Sequence, residues 1–471
     1  MVDPALGAIR ASTGAGLRAA SPAHRAWPTF LVGDSGENEL RLYWADTQDL
    51  ARPLCLRVTI ARESWEMASL VALGRWGEIG RALLDHVDAF EHVDLWLRPS
   101  AEADVGGGIA LRLESPGQVA VFGPGAGEGG RLGPRLFPAG ARAPGSLARL
   151  LDGLASPASL QAFGWKLGCV VDGLLDLGEV TGEERFARRA EAHLSEFLAA
   201  DGTLEYHDPW GRPVRGGVYG IEGLLPIAAL ARLGETDRAI AQCEQFLRDY
   251  RRDDGVVLDH DMLSAEGMYT VAYPLALVGF RAGREDFIAS ALRQLRVRAE
   301  ALYDGDVLLR RYEDGRVEFR DWIRAWTWYL LGLARVAPIL AAAGVDVAPE
   351  RERLAVLARA AAEHRAPDGL WHTFVRDAST PLETSGSAGI AAAWALGARA
   401  GLLDAGWRAQ AASAADALIP LVGAEGALTG ASQANKDGDR LQRARYRINS
   451  QMGSGLLGQL VAALHGNAPG S

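Results

Sequence analysis

From about residue 158 onward, apolar positions recur at helical spacing in long stretches separated by short polar turns. An acidic-Gly turn followed by an apolar stub recurs through this region. The copies are Asp201-Gly202-Thr203-Leu204, Asp254-Gly255-Val256-Val257, Asp304-Gly305-Asp306-Val307, Asp368-Gly369-Leu370-Trp371 and Glu425-Gly426-Ala427-Leu428. Their spacings of 53, 50, 64 and 57 residues each leave room for two helices and their loops. A second marker falls between the two helices of three units: Thr181-Gly182-Glu183-Glu184, Gly234-Glu235-Thr236-Asp237 and Gly283-Arg284-Glu285-Asp286. Glycine suits the end of one helix and acids suit the start of the next. With a final helix over Gly453–Leu464, the pattern predicts about six helix pairs. Such pairs stack as an open solenoid or close into a toroid. Trp- and Gly-rich loops at one end suit the closed form, an (α/α)6 barrel or six-hairpin toroid.

Residues 26–135 read differently. Short alternating runs at Glu39–Trp44, Leu54–Ile60, Val93–Arg98, Ile109–Glu114 and Gln118–Phe122 predict strands, with one helix at about Glu63–Val87. The stretch 123–148 is rich in Gly, Pro and Ala. The expected layout is an arm at 1–25, a smaller β-rich accessory domain (β-sandwich-like or α+β) at 26–135, a linker at 136–157 and the helical barrel at 158–471. The fold class is mainly α.

Composition narrows the function classes. Hydrophobic residues at 48% and charged residues at 23% fit a globular chain with ample core. The net charge of −10 repels a nucleic-acid backbone, so no nucleic-acid partner is expected. It also repels anionic sugars at long range, so a uronate site needs its own local cation. No apolar stretch reads as a membrane span or leader segment, and Cys55, Cys169 and Cys243 form no disulfide or metal framework. A cytoplasmic location is the expectation. The 13 Trp against 12 Phe and 10 Tyr are unusual, and flat aromatic faces suit pyranose stacking as well as core packing.

Polar-aromatic clusters recur at one phase of the repeat, before the first helix of a unit. They run from Glu205 to Gly223, Leu258 to Tyr269, Arg320 to Tyr329, Trp371 to Gly389 and Thr429 to Gly455. Each also reads as a cap and turn, since Glu, Thr, Ser and Asp cap helices. The nine histidines show no metal-ligand spacing, and no nucleotide-binding or nucleophile-elbow motif stands in context. Metal and cofactor are both expected to be absent. Carboxylates remain for acid–base work: Glu222, Glu266, Glu383, Asp261 and Asp321.

Over residues 160–465 the chain resembles glycoside hydrolase families 88 and 105, the unsaturated glucuronyl and rhamnogalacturonyl hydrolases. Asp368-Gly369-Leu370-Trp371 followed by Glu383-Thr384-Ser385-Gly386-Ser387-Ala388 is similar to their "DGLW…ETSGSA" signature. Trp322-Ile323-Arg324-Ala325-Trp326-Thr327-Trp328-Tyr329 resembles their W-x-R-x-N-G-W-Y run, with Trp326-Thr327 in place of Asn-Gly. Glu425 to Gly430 resembles a "DGrLtG" turn. The resemblance implies an (α/α)6 barrel and hydration of the C4=C5 bond of a 4,5-unsaturated uronic acid. The catalytic Asp segment of those families matches Ser264 to Tyr269, which places Glu266 at the acid. Where a second Asp is expected, the acid is Glu222.

These readings assign Glu266 as general acid/base and Glu222 as its partner. Arg324 would bind the uronate carboxylate through its guanidinium fork, and Trp322 and Trp328 would stack the sugar. His260, His372, Trp371, Thr384, Ser385 and Tyr269 would supply further contacts. The expected partner is an oligosaccharide; the N-terminal region would shape the barrel mouth or mediate a homodimer. Alternatives are hydrolysis of saturated glucuronides on the same barrel, a non-catalytic sugar-binding protein, and a lyase or epimerase.

Overall fold

The structure, a computed structural model, describes residues 27–34, 39–43, 54–98, 107–138, 145–208 and 211–466. The expected arm at 1–25 lies outside them, as do Trp44 and Trp210. The chain is mainly helical, with strands concentrated at the N-terminal side.

The N-terminal strands are β1 (Thr29–Gly33), β2 (Leu40–Leu42), β3 (Leu54–Thr59), β4 (Met67–Gly74), β5 (Gly77–Asp85), β6 (His92–Trp96), β7 (Ile109–Leu113), β8 (Gln118–Phe122) and β9 (Arg135–Pro138). They bury a core of their own that includes Leu56, Val58, Leu70, Leu95, Leu111 and Val121. The helix expected at Glu63–Val87 is instead the β4–β5 hairpin, paired antiparallel from Met67↔Asp85 to Gly74↔Gly77. Its long apolar run imitates a helix locally; pairing of β4 with β7 on its other side makes it a strand. The expected linker at 136–157 holds the end of β9 and a helix, α1 (Leu147–Leu154). Ser146 caps that helix by accepting from the Arg149 N–H, and Leu150 and Leu154 are buried. Leucines at helical spacing overrode the Gly/Pro-rich flank.

The other helices are α2 (Trp165–Thr181), α3 (Glu184–Ser195), α4 (Leu225–Arg232), α5 (Thr236–Tyr250), α6 (Glu266–Thr270), α7 (Ala272–Ala282), α8 (Glu285–Ala301), α9 (Ile323–Ala342), α10 (Ala348–Glu363), α11 (Thr384–Arg399), α12 (Gly406–Leu418), α13 (Gly438–Arg443) and α14 (Gln451–His465). Helices α2, α4, α7, α9, α11 and α14 pack each on the next, and α14 returns to α2. Outside them lie α3, α5, α8, α10, α12 and α1, each against one or two inner helices. The inner helices are buried on most sides and largely apolar, with a few paired charges such as Asp172 and Asp176 of α2 and Arg335 of α9. Helix α9 is long and apolar enough to cross a membrane by composition, and most of it is buried inside this circuit. At the α2–α14 crossing, a Cβ on Gly173 would sit 2.4 Å from the Gly455 carbonyl oxygen, so only glycine permits that approach.

The glycines of all five repeated turns adopt left-handed backbone, with φ between +80° and +104°. The turns do the same job each time: each folds the chain end of an outer helix back toward the next inner one. Short hairpins follow them, β10 (Glu205–His207) with β11 (Pro213–Arg215), β12 (Met262–Ser264) with β13 (Leu308–Tyr312) and β14 (Val317–Arg320), and β15 (Trp371–His372) with β16 (Leu382–Glu383). The last pair, β17 (Leu428–Ala431) and β18 (Ile448–Ser450), joins the N-terminal region in one sheet of order β17-β18-β6-β3-β9. Arg57 of β3 reinforces this join by binding both Asp94 and Glu425. The strand region is thereby fixed over the hairpin end of the helical circuit.

Candidate functional site

A cavity of about 820 Å³ opens at that junction. Its walls come from six places. The N-terminal region gives Arg62, Glu63, Trp65 and Asp88; the start of α2 gives Trp165 and Lys166. The loops before α4 and α6 give His207, Asp208, Tyr219, Glu222, Asp259 and His260. Arg310 of β13 and the segment Ala434–Asp437 complete it.

The acids concentrate at one wall. Glu222 and Asp259 face the cavity, and Glu266 lies behind them, 4% exposed, at the start of α6. Ser264 Oγ donates to Glu266 Oε2 at 3.0 Å and accepts from its backbone N–H at 3.2 Å. Burial, together with the charges of Glu266 and Asp259, holds the Glu222 carboxyl well above the usual carboxylate range, against the pull of Lys166 and Arg310. Burial also raises Glu266, opposed chiefly by Arg310. Asp259 is raised by burial as well. Three acids around one guanidinium cannot all ionise cheaply, so Glu222 holds its proton to higher pH than an ordinary glutamate does. Arg310 keeps a buried Nε without a hydrogen-bond partner, a donor available to an anionic ligand.

Other lining residues form a salt-bridge cluster. Asp88 binds Lys166 and, at 2.7 Å, Lys436; Lys436 also binds Glu63 at 2.6 Å. The two ammonium groups hold the Asp88 carboxyl far below the usual range although burial opposes them. Asp88 thus ties the strand region to α2 and to the segment before α13.

Of the residues singled out from sequence, Glu222 and His260 line this cavity and Glu266 lies behind its acids. The others lie elsewhere. Arg324 is 1% exposed; it donates to the Ser432 carbonyl at 2.9 Å and to the Gln433 carbonyl, and stands over the Trp322 ring at 4.4 Å. It pins a loop and lines a small pocket that shares Asp88, Trp165 and Lys166 with the main cavity, and its charge acts on Glu266. Trp322 is buried and donates to Gln442 at 3.0 Å. Trp328 is buried between Trp165 and Tyr269, with ring centroids 5.6 and 6.1 Å away. Tyr269 donates to Asp172 at 2.5 Å in the packed interior. Trp371 is buried and donates to the Ala361 carbonyl, and His372 Nδ1 lies 2.5 Å from the Thr380 carbonyl. Thr384 donates to the Thr429 carbonyl, and Ser385 to Glu383. Glu383 is the N-cap of α11, accepting from the Ser385 and Gly386 N–H groups. Asp321 accepts from Trp326 Nε1 and the Val307 N–H, and Asp261 is exposed.

Sequence reasoning missed Lys166, Arg310, Asp259 and the N-terminal wall. Asp259 sat inside a cluster already noted and Arg310 just after a repeated turn, so position in the repeat was the available signal. For Trp65 and Asp88 there was none. Among the described residues, no group of three or more His, Cys, Asp or Glu is arranged to hold a metal ion.

Comparison with known proteins follows the same outline. Residues 155–458 match the sequence profile of Glycosyl Hydrolase Family 88. In fold the chain is similar to a Salmonella enterica protein described as "a possible member of GH105 family", with TM-score 0.56 and 18% identity over 64% of this chain and 83% of that one. It is also similar to a family 105 glycoside hydrolase of C. acetobutylicum, with TM-score 0.55 and 19% identity over 64% and 93% of the two chains. A family 88 glycosyl hydrolase of Bacteroides vulgatus gives TM-score 0.51 and 16% identity over 65% and 92%. No curated protein matches the chain.

Proposed function

Because this chain belongs to glycosyl hydrolase family 88, we propose that it hydrates the C4=C5 double bond of a 4,5-unsaturated uronyl residue at the end of an oligosaccharide and so releases that residue. We read the closed circuit of six helices and their outer partners as an (α/α)6 barrel, with the cavity at its mouth.

The observation that carries the reading is a pair of acids, Glu222 and Asp259, lining one cavity with the under-bonded Arg310 guanidinium, where burial and the neighbouring acids raise the Glu222 carboxyl. Protonating an enol ether at C4 needs a neutral acid near pH 7, which an ordinary carboxylate does not provide. In this reading Glu222 gives its proton to C4, and positive charge develops at C5 and the ring oxygen. Glu266 or Asp259, in its ionised form beside Arg310, draws a proton from water as it adds at C5. The hemiketal then opens and the aglycone sugar leaves with its oxygen protonated. Arg310 pairs with the C6 carboxylate. Glu266 was expected to be the donor; its deeper position and its Ser264 hydrogen bond favour the second role.

Two acids facing one sugar also suit hydrolysis of a saturated uronide. One assay separates the readings. Incubation with an unsaturated disaccharide abolishes its near-ultraviolet absorbance if the double bond is hydrated. Persistence of that absorbance, with cleavage of a saturated glucuronide, would replace this reading with the second.

A further inference from the structure

We propose that the N-terminal strand region supplies the subsite for the sugar next to the cleaved uronyl residue, with Trp65 as its stacking platform. This rests on the cavity being the sugar site.

Residues 155–458 carry the family match, yet part of the cavity wall lies outside that span. Trp65 is the large apolar side chain among those outside residues, and it is 53% exposed. Its placement is not loose. The Lys436 ammonium sits 4.9 Å from the ring centroid, and that lysine is itself clamped by Glu63 and Asp88. The His86 ring meets it edge-on, 6.1 Å away at 71°. A clamped lysine over the ring and an imidazole at its edge hold the half-exposed indole in place at the cavity.

Depth orders the contacts. Glu222 and Asp259 are half-buried and Glu266 behind them is 4% exposed, whereas Trp65 is 53% exposed. A cavity of about 820 Å³ lies within the roughly 300–1,000 Å³ range that encloses drug-sized ligands, so it has room beyond one pyranose. With the uronyl ring at Glu222 and Arg310, the glycosidic bond points outward and the next pyranose reaches the indole face. Flat aromatic rings hold sugars through their apolar C–H faces. The platform therefore favours a neutral or uronic pyranose of any linkage that keeps the second ring extended toward the opening.

The test compares kcat/KM for an unsaturated uronyl disaccharide with that for the methyl glycoside of the same unsaturated uronate, in wild type, W65A, W65F and W76A. Trp76 is 78% exposed and is not among the cavity-lining residues, so W76A controls for loss of a surface indole. We expect W65A to lower the disaccharide-to-methyl ratio about tenfold, through KM, W65F to recover most of it, and W76A to keep the wild-type ratio. An unchanged ratio in W65A, or an equal fall in W76A, overturns the proposal. If wild type turns over neither substrate, the hydration reading fails by itself. Trp65 is then judged by titrating wild type and W65A with the disaccharide in a calorimeter. Weaker binding to W65A upholds the platform, whereas equal binding or none to wild type overturns it.

Discussion

Glu91 offers a prediction whose size follows from the structure. It lies fully buried beneath the cavity, where its Oε2 accepts from the Asp88 N–H at 3.0 Å and from Gln433 Nε2 at 2.7 Å. Burial and the neighbouring Asp88 charge push its carboxyl up to about 7. An unfolded glutamate titrates near 4.5, so the folded state keeps a proton that the unfolded state gives up. Below pH 4.5 both states hold the proton and Glu91 costs nothing. Between 4.5 and 7 the unfolded state binds fewer protons, and stability falls as pH rises; above 7 the loss is constant. A shift of two to three pH units corresponds to about 3 kcal/mol. Glu91→Gln mimics the protonated form, and its amide oxygen can accept both bonds now made to Oε2. The variant should therefore gain on wild type by about 2 to 3 kcal/mol between pH 5 and pH 8. Urea denaturation followed by circular dichroism at pH 5, 6, 7 and 8 measures the difference. A difference that stays flat across that range, or shrinks as pH rises, would refute the reasoning.

Other consequences are equally direct. Glu222→Gln removes the proposed donor and should lower kcat on an unsaturated uronide by about 100- to 10,000-fold while the melting temperature holds or rises. In wild type the same group gives activity an alkaline limb, lost as pH rises through a carboxyl value above the usual range; a rate profile that fell only on the acid side would contradict this. Arg335→Leu strips the buried Asp176 of an ion pair and Gln459 of a donor, and should cost about 3–5 kcal/mol in a denaturation experiment. Glu383→Ala leaves the Ser385, Gly386 and Ser432 N–H groups without their acceptor and should cost about 3 kcal/mol, seen as a lower melting temperature.

The contrast between what was legible and what was not has a physical origin. The five turns were readable because left-handed backbone selects glycine locally, whatever the rest of the chain does. The helix-ending glycines Gly182 and Gly283 are left-handed C-caps for the same reason. The β4–β5 hairpin was misread because its strand character depends on pairing with β7, which no local pattern reveals. The most distinctive motif, Trp371 with Glu383 to Ser387, was legible as a family mark, yet its atoms build a helix cap. Ser387 Oγ donates to the Glu383 carbonyl and accepts from the Trp371 N–H. Arg324 shows the same split, since its guanidinium fork holds carbonyls of the 432–433 loop. The cavity's cations come from elsewhere. Lys166 and Lys436 meet at Asp88, far from both in sequence, and only the folded chain brings them together.

The central claim is that a protonated Glu222 in this cavity hydrates an unsaturated uronyl end group. Running the reaction with an unsaturated disaccharide in 18O-labelled water, and weighing the released keto acid, tests it most directly. The account predicts loss of the near-ultraviolet absorbance and uptake of label at C5, with both suppressed in Glu222→Gln. Label entering at C1 instead, with the absorbance intact in the released sugar, would contradict it.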